Sequence, residues 1–141
     1  MFDLKYEERL QTWSCLRQDL ETATDPFQLV IDFYSTAPRV SIATDPWDET
    51  RWPDPWEMIL ENQYDEFLTV LGQCYSLQLT DRFKGSDFEI HIGIDEIESR
   101  TCYLLIIDNS TTLGWNDSYV TIDDLPKSLV SQKIYTMPKI Q

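Results

Sequence analysis

The sequence predicts an α+β protein, with N-terminal helices packed on a C-terminal antiparallel sheet. Three observations carry this reading. Apolar residues recur at helical spacing through the first half of the chain; Asp-Pro pairs stand three times where a helix can start; and after Gly85-Ser86 the apolar period changes from helical to two. The chain has 141 residues, which fits one domain, 1–141, large enough to bury roughly 68% of the surface its unfolded chain exposes.

The first helix is expected over residues 4 to 22, because Leu10, Trp13, Leu16 and Leu20 share one face while Glu7, Glu8, Arg9, Arg17 and Asp19 fill the rest of the turn. Cys15 is expected as a small buried or half-buried residue. Asp25-Pro26-Phe27-Gln28, Asp45-Pro46-Trp47-Asp48 and Asp54-Pro55-Trp56-Glu57 each put Asp where an N-cap belongs, Pro at the first helical position and an acid or amide at the third. They read as three helix starts. The first opens a helix through Phe27, Val30, Ile31 and Tyr34. The second has room for about one turn before Pro53. The third opens Trp56 to Leu60. Asn62 and Gln63 then break the helix, and another runs from about Tyr64 to Leu77 with a buried stripe of Phe67, Val70, Leu71, Cys74 and Leu77; Gly72 beside it permits a close crossing.

Phe88, Ile90, Ile92 and Ile94 alternate with Glu89, His91, Gly93 and Asp95, which is a strand with one buried face. Thr101 to Ile107 is the next strand, and its near-continuous apolar run implies burial on both faces. A polar turn between them makes an antiparallel hairpin. Residues 113–117 read as a turn and 119–122 as a strand. Residues 134–140 are a final strand or part of an extended C-terminal arm spanning 127–141, which carries Lys127, Lys133 and Lys139 and no acid.

Lys plus Arg is 11 and Asp plus Glu is 25, a formal charge of −14. That excludes a protein that wraps nucleic acid, which needs Lys and Arg to displace counterions. It suits a monomer kept apart by repulsion, a partner for a basic surface, or a wall that must not stick to DNA. Cys15, Cys74 and Cys102 are odd in number and widely spaced, and no basic-apolar segment precedes the first helix, so reduced thiols in a cytosolic product are expected. The longest strongly apolar run, Leu104 to Ile107, is far too short to span a membrane. With His91 the single histidine, neither a metal site nor a cofactor is expected. Residues 37–53 form a long irregular loop, a length that usually marks a functional or interface segment. Its Trp47 and Trp52, with Trp56 just beyond, are either plugs on the domain's own core or anchors for a partner chain.

A Cys-His mechanism would have to use His91, in the order Cys74, His91, Asp108. Cys74 falls near the C-terminal end of its helix, where the helix dipole opposes a thiolate. The order and spacing of Tyr64-Asp65-Glu66-Phe67, Glu89-Ile90-His91-Ile92-Gly93 and Leu105-Ile106-Ile107-Asp108-Asn109-Ser110 resemble the transglutaminase-like branch of the papain-type cysteine enzymes. That family opens a helix on a Cys-Asp-Asp-Phe-like motif and follows it with a His on one strand and an Asp at the end of the next. The resemblance covers roughly residues 54 to 110 and implies a transglutaminase-like core with triad-like positions Tyr64, His91 and Asp108. Tyr64 stands where the family holds its Cys, and a phenol is a poor nucleophile, so the implied catalytic site is lost and only the fold is retained. His91 also points away from the Phe88–Ile94 face.

Residues 45–57 are similar to a segment of small degenerate transglutaminase-like proteins of tailed bacteriophages. This implies a non-catalytic virion component of the neck or tail, the head-tail connector region, made in the host cytoplasm. Its expected partners are other virion proteins and copies of itself, through Trp47, Trp52, Trp56, Lys133 and Lys139, with no membrane and no sequence-specific nucleic acid. The alternatives are a divergent hydrolase using His91 and Asp108 with an unrecognised nucleophile, and an acidic decoy that binds a host DNA-binding protein.

Overall fold

The computed structural model describes residues 1–139, in which the helices α1 (Tyr6–Thr22), α2 (Pro26–Tyr34), α3 (Pro55–Glu61) and α4 (Glu66–Gln78) precede the strands β1 (Phe88–Asp95), β2 (Arg100–Ile107), β3 (Thr111–Leu113), β4 (Val120–Thr121) and β5 (Leu129–Thr136). All pairings are antiparallel and the sheet order is β4-β3-β2-β1-β5. This is the α+β layout that the change of period predicts.

The α1 helix buries Trp13, Leu16 and Leu20 as its spacing requires, but it also buries Arg9. The guanidinium donates to the carbonyls of Leu4, Ile59 and Leu60, two of which belong to the last turn of α3 and have no partner within that helix. Cys15 is exposed rather than buried, because it lies next to the Trp13–Leu16 stripe and not in it.

Of the three Asp-Pro starts, two behave as caps. Asp25 accepts from the Gln28 backbone N–H, although Gln28 turns its amide to Asp32 instead of back to the cap. Asp54 and Glu57 form a reciprocal capping box. The expected start at Asp45 does not open a helix. Asp45 folds its carboxylate onto the Trp47 N–H two residues on, making a tight turn, and Asp48 caps the single 3-10 turn Glu49–Arg51. At the next break Asn62 takes the left-handed conformation that ends α3.

The α4 helix begins at Glu66, capped by Asp65, so Tyr64 stands just outside it. Its burial extends beyond the expected stripe to every residue from Phe67 to Gln78, because α4 lies between the other helices and the sheet. At Gly72 the Tyr34 ring comes so close that a Cβ would meet it at 2.9 Å, so the absence of a side chain permits the α2–α4 crossing.

In the sheet, β1 and β2 pair in unbroken register from Phe88↔Ile107 to Asp95↔Arg100. Phe88, Ile90, Leu105, Ile107 and Leu113 face the helices and join one core with Trp13, Leu20, Phe67, Leu71 and Leu77. Cys102, Leu104, Ile106 and Thr112 are buried on the far face, where no helix lies. The chain from β4 to β5 covers them. The Ile122 N–H donates to Ser110 at the β2–β3 turn, and the Glu96 N–H at the β1–β2 turn donates to Ser128, so the intervening residues run diagonally across that face from one sheet edge to the other.

Two expectations for the C-terminal third are corrected, and one strand is added. The short β3 strand, for which the sequence made no expectation, leads into the expected turn. The expected strand at 119–122 shrinks to Val120–Thr121 and passes into a 3-10 turn, Ile122–Asp124. The alternative of an extended arm over 127–141 gives way to β5, which pairs with β1 along one edge. The polar run Ser131-Gln132-Lys133 hides this strand from a periodicity argument. A bulge between Ile92 and Gly93 shifts the register so that Gln132 has no counterpart on β1. Ile140 lies outside the described residues.

Candidate functional site

The three triad-like positions are held by different parts of the fold. Tyr64 sits in the turn before α4, where its N–H donates to Pro38 and its carbonyl accepts from Val40. Its side chain is fully buried, with ring centroids 5.3 Å from Phe2 and 5.8 Å from Tyr34. The phenol oxygen has no hydrogen-bond partner. Burial, reinforced by Tyr34, pushes its pKa well above that of a free tyrosine, so the group is neutral and closed to substrate.

His91 is on β1 and points to the far face, so the sheet separates it from Tyr64. Asp108 follows β2 in a left-handed turn (φ 52°) and accepts from the Asp87 N–H at 2.8 Å. It lies beyond the Phe88↔Ile107 pair, roughly 10–13 Å along the ladder from His91 at the rise of a strand. None of the three touches another. The thiol of Cys74 is also closed off: it is buried in the core, its pKa is raised by desolvation, and it points at Gln78 Oε1 at 3.5 Å.

The structure instead gives His91 two other partners. Its Nδ1 lies 2.8 Å from the Ser131 hydroxyl and its Nε2 lies 3.1 Å from Glu89 Oε1. This forms a carboxylate–imidazole–hydroxyl chain on the far face, with Ser131 at the bulge of β5. Glu89 beside His91 was legible, since a period of two puts both on one face. Ser131 was not, because it enters only through the β1–β5 pairing. None of these residues lines the clefts of about 430 Å³ and 570 Å³ that border α4.

The expected interaction residues divide. Trp52 is a plug, with ring centroids 4.9 Å from Phe67 and 4.7 Å from Tyr135. Trp47 is 55% exposed. Trp56 rests one edge on Trp13 and leaves 47% of its surface open. Lys133 lies over the Tyr135 ring. Lys139 folds back, donating to the carbonyls of Gly85 and Ser86 and pairing with Asp87, which ties the end of the described chain to the start of β1.

Among the described residues no group of three His, Cys, Asp or Glu side chains is placed to hold a metal ion, and no helix is long and apolar enough to cross a membrane. Compared with family models, curated proteins and solved structures, the chain matches none.

Proposed function

We propose that this chain is a non-catalytic structural component of a tailed-bacteriophage particle, placed in the neck or tail. It assembles through protein–protein contacts with copies of itself and with other virion proteins. The observation that carries the non-catalytic part is Tyr64: the position where the resembling enzymes hold their nucleophile is filled by a buried, neutral phenol. The far-face orientation of His91 supports the same reading. A degenerate transglutaminase-like core is the finer fold we infer, supported by the order of a helix capped by Asp65, a strand carrying His91 and a strand ended by Asp108. Placement in a virion rests on the resemblance of residues 45–57. The exposed Trp47 and Ile42 in the 37–53 loop, and Ile134 on the outer strand, are apolar surfaces suited to such contacts. Mass spectrometry of purified particles of the phage that encodes the chain tests this. The chain should be present in a fixed ratio to the portal protein, and its absence from particles would overturn the proposal.

A second reading has one observation in its favour. The Glu89–His91–Ser131 chain has the order of carboxylate, base and hydroxyl that activates a serine nucleophile. A hydrolase using it would react covalently with a fluorophosphonate at Ser131 and lose that labelling in Ser131→Ala and His91→Ala. Absence of labelling in the wild-type chain removes this reading.

A further inference from the structure

The β5 strand forms one edge of the sheet, and nothing among the described residues pairs with its outer side. The Met137 N–H donates to Phe88 at the start of β1, and along an antiparallel ladder such bonds fall on alternate residues. The N–H and C=O groups of Ile134 and Thr136 therefore point out of the sheet. Gln132, the extra residue of the bulge, has no counterpart on β1 either. An open edge of this kind is a template for another strand. A lysine on an edge strand ordinarily discourages such pairing, but Lys133 lies on the helix side, opposite Ile92, with its ammonium 5.3 Å from the centre of the Tyr135 ring. It leaves the hydrogen-bonding edge clear. Ile134, opposite His91 on the far face, is 50% exposed, so the edge also presents an apolar side chain that pairing would cover.

Three observations select a second copy of this chain as the occupant. The opposite edge of the sheet, β4, is two residues long, so the edge strand that matches β5 in length is β5 itself. Copies that each carry −14 repel one another, and they repel least where acids are absent. Residues 127–139, which contain β5, hold three lysines and no acid. The third observation is the register. Antiparallel pairing about Ile134 sets Ile134 against Ile134 of the second copy on the far face, where their outward N–H and C=O groups form a reciprocal pair. It sets Lys133 against Tyr135 of the second copy on the helix side. Carboxylates surround that ring: burial, and then the fields of Glu49, Asp45 and Asp48, raise the Tyr135 pKa. Asp48 is engaged by Arg51, but Asp45 and Glu49 are exposed and have no ion pair among the described residues. Lys133 of each copy thus arrives beside two free carboxylates of the other, once on each side of the two-fold axis.

We propose that this edge binds a second copy of the chain, with β5 pairing antiparallel to β5 about Ile134, so that two five-stranded sheets join into one. The proposal deepens the self-assembly in the reading above and rests on that part of it, not on placement in a virion. A two-fold contact of this kind closes on itself, which makes the dimer the unit that other partners meet.

The test is the mass of the full chain by sedimentation equilibrium at about 100 μM, where an interface of micromolar affinity is mostly formed, joined to hydrogen exchange followed by NMR. The wild type should have twice the 16.6 kDa of one chain. The Ile134 and Thr136 amides should exchange more slowly as the chain is concentrated, while that of Thr121 on the other edge does not. Ile134→Lys sets like charges against each other at the axis and should weaken the dimer at least about ten-fold. Lys133→Glu should do the same, whereas Lys127→Glu, an equal change of net charge outside the paired residues, should weaken it less than about three-fold. A monomeric wild type overturns the proposal. So does exchange at Ile134 and Thr136 that ignores concentration, a dimer that survives Ile134→Lys, or equal weakening by the two glutamate variants. Slowed exchange of these amides only when an acidic peptide is added to a monomer identifies a foreign strand as the occupant and also overturns it. The wild-type mass and exchange decide the matter where a variant fails to fold. A monomer found in particles sinks this proposal alone, and a dimer absent from particles sinks the virion reading alone.

Discussion

At the scale of single residues, the clearest departure from the sequence pattern is Arg9. Its neighbours Glu7 and Glu8 share the polar side of α1 and stay exposed, whereas Arg9 is buried to 9% exposure. Only the arrival of α3 explains this, because the guanidinium satisfies carbonyls that a helix end leaves without intrahelical partners. Arg9→Met keeps the aliphatic stem and removes the donors, so it should destabilise the chain by about 2–3 kcal/mol, the penalty of leaving buried carbonyls unmatched. Urea unfolding should show a lower midpoint at an unchanged slope. A loss below about 0.5 kcal/mol, the range of ordinary surface changes, would show that these bonds contribute little. Tyr64 is the converse case. Its residue type excludes a thiolate, which the sequence shows, but its complete burial between Phe2 and Tyr34 comes from the way three separate segments meet.

At the scale of elements, the Asp caps have two different strengths. Asp54 works locally, exchanging hydrogen bonds with Glu57 at an exposed helix start. Asp65 does more: one carboxylate oxygen accepts from the Leu68 N–H that opens α4, and the other accepts from the Ala43 N–H, so it fastens the 37–53 loop to the helix. It is also buried, at 7% exposure. Asp54→Ala should therefore cost about 1 kcal/mol, the usual value of a cap, and Asp65→Ala about 2–3 kcal/mol, since it strands a second donor as well. Chemical denaturation of both variants checks the order, and a larger loss at Asp54 would contradict it. The Asp54 cap was legible in its Asp-Pro pattern, whereas the sequence placed the start of α4 only at about Tyr64 and named no cap there. The link from Asp65 to Ala43 was not legible either, because it joins positions 22 residues apart.

At the scale of the whole molecule, the packing of tyrosines into the helical core makes stability sensitive to alkali. Tyr34 is almost fully buried, and desolvation raises its pKa to about 12, against the opposing effects of its hydrogen bonds with Ser76 and Trp13 and of Arg17. Tyr64 and Tyr75 are pushed the same way by burial. The unfolded chain ionises these phenols near pH 10 while the folded chain keeps them protonated. Their contribution is complete below pH 10 and is lost as pH rises from there through the folded pKa. For Tyr34 alone the loss reaches about 2 kcal/mol at pH 12, where the folded phenol is itself half ionised, since each tenfold difference in proton affinity between the folded and unfolded chain is worth about 1.36 kcal/mol. Urea midpoints measured between pH 9 and pH 11.5 should fall steeply above pH 10, with tyrosinate absorbance from the buried rings rising together with unfolding. A flat stability profile over that range would refute it. The charge of −14 adds repulsion in the same direction.

By itself the sequence determined the α+β class, the helix starts at Asp25 and Asp54, a further helix from about Tyr64, and the hairpin of β1 and β2. Each of these follows from local spacing or from the chemistry of a single residue, and such signals survive in one dimension. The tertiary structure alone decided what depends on contacts distant in sequence. The β5 strand became visible only as a partner of β1, because its polar centre and bulge break the alternation that would announce it. The separation of His91 from Tyr64 and Asp108 and the pairing of His91 with Ser131 arise in the same way. Where side chains end up relative to one another is set by register and by packing between layers, and these are properties of the assembled sheet and helices rather than of any stretch of chain.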